Sequence, residues 1–349
     1  MNIKITPLLF LGLVCFLHSC TKKEYEGPSI ETLYGDFEVI EPLILTNKAP
    51  SFSSNEQVGF HCEFNKPVEW KIAIKGLSTN ASIEITGFSS LIDSSMIIWR
   101  GGPSQVPFFS EEACAIELTF ENEIDTIKDT ITIVSAKTFE NGVWLEDFED
   151  GFPNDGLVYY NTDGGGMTFS VANDDALLGS SYFKMGGRVN WDWPLGNLDL
   201  PVNITNTNQS SDNLYINIGI LSDLEDLHTG QFINILISEE TDIPFNDNLE
   251  NNSSDLFEST MEVYKIKVPV DWNGWKMISF RYSDFEPVSP NNQDINFNMN
   301  PNDIRAIRFS CQACPSSAGN PICPENFGKD VRTDIDHIIF TENYSLLEQ

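Results

Sequence analysis

The chain has 349 residues, with 52 acidic against 20 basic side chains and a formal net charge of −32. A surface of that sign repels nucleic acid and anionic lipid, which excludes a nucleic-acid-binding role. Disorder is excluded too: 24 Phe, 9 Tyr and 7 Trp supply the apolar surface of real cores, and the length allows two domains of ordinary size.

The N-terminus reads as a secretion signal. Lys4 precedes an apolar run from Pro7 to Leu17, and small Ser19 stands directly before Cys20. The end of this segment, "LHSC", resembles the lipobox of bacterial lipoproteins. That resemblance implies removal of residues 1–19 and lipidation of the Cys20 sulfur, so that residues 20–30 become a tether on a membrane. No later apolar run approaches the ~18 residues that a spanning helix needs.

A first domain is expected over 31–137. "FEVIEPLI", "QVGFHCEFN", "VEWKIAIKG", "ASIEITGFS", "SMIIWRG", "ACAIELTFEN" and "IKDTITIVS" alternate apolar and polar residues between turn signals. Short strands at this density predict an immunoglobulin-like sandwich. Cys62 and Cys114 fall in two of these strands, as a disulfide between sheets or as two buried thiols. Trp99, in "IIWRGG", is a candidate binding residue of this domain, with a core position the favoured reading.

A second domain is expected over 139–349. Its strands include "WLEDFE", "TFSVAND", "SSYFKMGG", "NLYINIGIL", "QFINILISE", "MEVYKIKVP", "WKMISFRYSDF", "IRAIRFSC" and "TDIDHIIFTE". Helical periodicity is nearly absent, and strands joined by long polar loops suit one larger jelly-roll sandwich. The fold class is therefore all-β. Cys311, Cys314 and Cys323 lie in "CQACPSSAGNPIC", which fits a locally stapled loop, a metal site with His337 as a further ligand, or a redox pair. Five cysteines beyond Cys20 leave an odd thiol.

Sugar rings present apolar faces and hydroxyl rims, so aromatic rings beside Asp, Asn or Arg are the side chains to seek. In "GGRVNWDWPLGN", Trp191 and Trp193 flank Asp192, and in extended backbone both rings point one way, with Arg188 nearby. A core-capping role for both tryptophans is the alternative. Tyr160 in "GLVYYNTDGGG" and Trp272 in "DWNGWKMISF" are further candidates.

"WLEDFEDG", "LLGSSYFKMGG", "WNGWKMISFRYSDF" and "DIDHIIFTE" resemble segments of jelly-roll carbohydrate-binding modules. The whole arrangement is similar to the surface glycan-binding lipoproteins that accompany SusC/SusD-type importers in Bacteroidota. The resemblance implies an outer-membrane, lipid-anchored, surface-exposed protein that binds a polysaccharide without cleaving it and passes it to the importer. A neutral β-glucan is the expected polymer, because the acidic surface disfavours sulfated or uronic chains. The resemblance also implies a structural Ca2+ held by Glu149 and Asp336. The mixed "TKKEYE" after Cys20 departs from the acidic export signal usual in that family. Two readings stand beside this one: a glycoside hydrolase or lyase, which needs two carboxylates across the scissile bond, and a structural or adhesive surface protein. No "GxSxG", "HExxH" or nucleotide loop is present.

Overall fold

The structure, a computed structural model, describes residues 35–124, 126–137, 142–160, 166–189, 194–204, 210–222, 231–239, 262–288, 296–313 and 329–347. Cys20 and the segment around it lie outside these residues. The described chain is all-β, with three antiparallel sheets. No helix among the described residues is long and apolar enough to cross a membrane.

The first sheet contains β1 (Val39–Leu45), β2 (Val58–Gly76), β3 (Ser82–Ile92), β4 (Ile98–Trp99), β5 (Ala113–Phe120) and β6 (Thr126–Thr132). Its order is β1-β2-β5-β6, with β3 and β4 also pairing β2. The sequence predicts two strands where β2 is one, 19 residues long. Lys66-Pro67 looks like a break because proline cannot donate to a ladder. In the structure no ladder pair with β1, β3 or β5 forms between Phe64 and Val68, so the missing N–H costs nothing there. The even-numbered residues of β2 are buried along its whole length, as a period of two requires. Buried Lys66 within this break is matched by Glu123 at 3.1 Å and lies over the Phe37 ring.

The core of this unit runs from Leu43 to Ile133. Trp99 is in it, fully buried, with its indole N–H donating to the Gly102 carbonyl at 2.8 Å and its ring edge-on to Phe52 and Phe109. It is a packing residue. Cys62 and Cys114 are free thiols, not a disulfide. The registers explain why. Cys114 sits opposite Gly76 at one end of β2, and Cys62 lies fourteen residues earlier on the same strand. That is about 45 Å of strand at ~3.3 Å per residue, against a Cα separation below ~7 Å in a disulfide. Burial raises the thiol pKa of Cys62 to about 11 and of Cys114 to about 12.

The second unit is built from β7 (Val143–Glu146), β8 (Leu157–Tyr160), β9 (Met167–Ala172), β10 (Tyr182–Arg188), β11 (Pro194–Pro201), β12 (Leu214–Ser222), β13 (Phe232–Ser238), β14 (Val263–Pro269), β15 (Gly274–Arg281), β16 (Glu286–Pro287), β17 (Ala306–Gln312), β18 (Asp330–Arg332) and β19 (Asp334–Glu342). One sheet has the order β15-β12-β19-β10-β18, with β7 on β19 and β9 on β10; the other runs β16-β14-β13-β17-β11-β8. Successive strands pass back and forth between the sheets, a jelly-roll-like arrangement. Leu198, Ile218, Ile235, Phe309 and Ile338 are among the fully buried residues of the core between them.

The two units touch along the outer side of the seven-stranded sheet. Val106 and Phe108 pack against Met277, Ile339, Leu346 and Leu177. Gln105 engages the backbone of edge strand β15 at both ends of its amide: Nε2 donates to the Met277 carbonyl at 3.0 Å, and Oε1 accepts from the Met277 N–H at 2.6 Å. This covers an edge that would otherwise present unpaired groups.

Alkylation of the denatured protein without reductant is expected to label Cys62 and Cys114 in full. A Cys62–Cys114 cross-linked peptide in the same digest would contradict this arrangement.

Candidate functional site

In the six-stranded sheet of the second unit, the central strands β11, β13 and β17 are largely buried on both faces. Alternation sends Leu198, Leu200, Ile233, Ile235, Ile237, Ile307 and Phe309 into the core. It therefore turns Asn197, Asp199, Asn234, Arg308, Ser310 and Gln312 to the opposite face. All six are less than a tenth exposed. The ladders align them in rows. Asn197, Ser310, Asn234 and Lys267 lie side by side across four strands, and Asp199, Arg308, Leu236 and Lys265 form the next row.

Buried polar groups must find partners, and here they find each other. Arg308 grips Asp199 with two parallel bonds, Nε to Oδ1 at 2.6 Å and Nη2 to Oδ2 at 2.7 Å. Burial alone pushes the Asp199 carboxyl upward, and the Arg308 bonds and charge oppose that push. Asn234 Nδ2 donates to Gln312 Oε1 at 2.8 Å. Lys267 lies 4.2 Å over the Phe232 ring, and desolvation, helped by Lys265, lowers its pKa. The face thus offers amides, a hydroxyl and cations, while its Asp199 carboxylate is tied to a guanidinium. Such a set forms hydrogen bonds. None of these six was singled out from the sequence. The available signal was the strict alternation of polar and apolar residues in "NLDL" and "IRFSCQ", with a single interior Asn in "FINILIS".

Of the expected binding residues, Trp191, Asp192 and Trp193 lie outside the described residues. The structure brings Arg188 and Tyr160 to one end of the sandwich, where β10 and β8 finish and β11 begins. Both are exposed. Tyr160 stacks parallel on Phe169 at 5.2 Å. Gly196, opposite Tyr160, makes room for that ring: a Cβ there would stand 2.4 Å from Phe169 Cζ. The end of β14 and the start of β13 reach the same end, and Trp272 follows them. Trp272 packs against the core, its N–H donates to the Ile220 carbonyl at 3.3 Å, and Lys276 covers its ring at 4.8 Å.

The expected calcium site is not there. No group of three or more His, Cys, Asp or Glu side chains among the described residues is placed to hold a metal ion. Glu149 and Asp336 do something else. Glu149 accepts from the N–H groups of Ser180 and Ser181, both at 2.7 Å, and from the Ser180 hydroxyl. Asp336 accepts from the N–H groups of Leu177, Leu178 and His337. Their oxygens are committed to hydrogens, so the two carboxylates anchor the loop before β10. The hydrogen bonds hold Glu149 below its ordinary pKa. Burial outweighs the three donors at Asp336 and raises it to about 7.

His337 is buried, with its ring 5.7 Å from Phe108, and burial lowers its pKa to about 4. It is no zinc ligand among the described residues. Cys311 is a buried free thiol whose pKa burial raises to about 12. This corrects the expected staple at Cys311; Cys314 and Cys323 lie outside the described residues.

No family model matches the sequence, and no curated protein matches it. Among solved structures, the chain is similar to the surface glycan-binding protein PbSGBP-B from Prevotella bryantii, at 11% identity and a TM-score of 0.36, covering 89% of this chain and 99% of that one. It is similar to SGBP-B from a complex xyloglucan utilization locus in Bacteroides uniformis, at 9% identity and a TM-score of 0.37, over 86% and 74% of the two chains. A family 11 carbohydrate-binding module from Clostridium thermocellum, in complex with a β-1,3-1,4-mixed-linked tetrasaccharide, shares 17% identity with a TM-score of 0.34, over 60% of this chain and 98% of that one. Likenesses of this size assign no function.

Asp336→Ala is expected to speed hydrogen exchange at Leu177 and Leu178 and to lower the melting temperature, because buried donors lose their acceptor at ~1–3 kcal/mol. Calcium or a chelator should leave the wild-type melting temperature unchanged. A calcium-dependent rise that Asp336→Ala removes would restore the metal reading.

Proposed function

We propose that this chain is a non-catalytic surface protein that captures a neutral polysaccharide, a β-glucan in the most specific form of the reading. The observation that carries it is the end of the sandwich where Tyr160 and Arg188 are both exposed beside the start of β11. Arg188 supplies donors for sugar hydroxyls, and the buried Asn234–Gln312 and Arg308–Asp199 bonds brace the sheet that carries this end. Tyr160 supplies a ring, and Trp191 and Trp193 are the further aromatic candidates that the sequence offers.

The rest of the reading rests on the lipobox-like segment and on the family resemblance. Lipidation at Cys20 anchors the protein to the outer membrane, facing outward. An immunoglobulin-like spacer over 31–137 carries the binding domain of 139–349 away from the lipid. The captured polymer is handed to a SusC/SusD-type importer.

The test is retention in polysaccharide affinity gels. The Tyr160→Ala/Arg188→Ala double variant changes two exposed side chains, which spares the fold. It is expected to weaken binding at least tenfold, about 1.4 kcal/mol, as is Trp191→Ala/Trp193→Ala. No reducing ends should be released from any glycan. Unchanged retention in both variants, or release of reducing ends, would overturn the proposal.

A further inference from the structure

The first unit carries a cavity of about 420 Å3 that the reading above does not use. It is lined by Glu69, Trp70 and Lys71 of β2, Thr86, Gly87 and Phe88 of β3, and Thr119, Phe120 and Glu121 at the end of β5. The registers sort these side chains. Glu69 pairs with Phe88, and Lys71 pairs with both Thr86 and Thr119. Glu121 donates its N–H to the Glu69 carbonyl. Phe88, Glu69 and Glu121 therefore form one row on a single face of the sheet, and Thr86, Lys71 and Thr119 form the next. Trp70, Gly87 and Phe120 belong to the other face. The Trp70 ring lies across Gly87, where a Cβ would stand 2.3 Å from Cζ2, and its N–H is fixed on the Ser89 hydroxyl at 2.9 Å. The three strands are thus braced from behind.

Phe88 is 64% exposed. A large ring held out over a mixed polar cavity needs a reason, since the rest of this unit buries its aromatic residues well. We infer that this cavity is a second saccharide site, which takes one or two rings of a neutral glycan. Phe88 meets the apolar face of a ring. Glu69 and Glu121 accept from its hydroxyls, and Thr86 and Thr119 both donate and accept. Lys71 is paired with Glu84 at 3.0 Å, which leaves the cavity net negative and unsuited to uronic or sulfated sugars. The volume is within the ~300–1,000 Å3 of small-ligand sites. A protein partner fits less well. One phenylalanine is far short of the ~1,000 Å2 that a stable interface buries.

The inference rests on the proposed function, and two sites on one chain would raise affinity for a polymer above that for a short sugar. Isothermal titration with a panel of neutral tetrasaccharides measures it. The full mature chain is expected to bind two per chain, falling to one in Phe88→Ala and in Glu69→Gln/Glu121→Gln. The Tyr160→Ala/Arg188→Ala variant should retain a site that Phe88→Ala removes, and polymer affinity should fall about tenfold in Phe88→Ala alone. The side chain of Phe88 is largely in solvent, so its loss leaves the fold intact, checked by an unchanged melting temperature. One site per chain that is indifferent to Phe88→Ala overturns the second site and leaves the first. A wild-type chain that binds no sugar of the panel overturns both.

Discussion

The second sandwich depends on a sheet whose central strands are largely buried on both sides. A strand with one wet face can leave its polar residues to water, but β11, β13 and β17 cannot. Each polar group they turn outward must be met by another, or cost ~1–3 kcal/mol. The bidentate Arg308–Asp199 pair is the strongest of these matches. Removing one partner would strand a buried charge, at ~3–5 kcal/mol. The order this imposes places Asn234, Gln312, Ser310 and Asn197 at fixed spacing across neighbouring ladders.

A second theme is the use of carboxylates as loop anchors. Glu112 takes N–H groups from Ser78, Thr79 and Ser110 together with the Thr79 hydroxyl. Burial pushes its pKa up, yet these hydrogen bonds hold it below the ordinary range. Glu149 and Asp336 do the same for the loop before β10. Through Leu177, that loop also packs into the contact between the two units. A loop-rich all-β chain has many backbone donors to satisfy away from its ladders, and part of the acidic excess has this local use.

Strand positions were largely legible in the sequence because burial on one face leaves a period of two. β3, β5 and β6 follow it, whereas β12, β17 and β19 are buried on both faces. The continuity of β2 was not legible, since Pro67 signals a break and only the ladder map shows that no bond is lost there. Glu149 and Asp336 were marked as special residues, but with the wrong partner: a carboxylate that binds metal and one that binds backbone N–H groups look alike in a sequence. The polar strip escaped notice for a different reason. Its members come from 197–199, 234 and 308–312, and only the pairing of β11, β13 and β17 puts them side by side. The disulfide expected between Cys62 and Cys114 failed because their spacing in sequence says nothing of their distance along β2.

The central claim is that the end of the sandwich carrying Tyr160 and Arg188 receives a sugar. Side-chain resonances of Tyr160 and Arg188, followed by NMR during titration of the full mature chain with a neutral oligosaccharide, test it most directly. The account predicts that both sets of signals shift saturably and with the same midpoint. Saturable sugar binding that leaves both unmoved would contradict it.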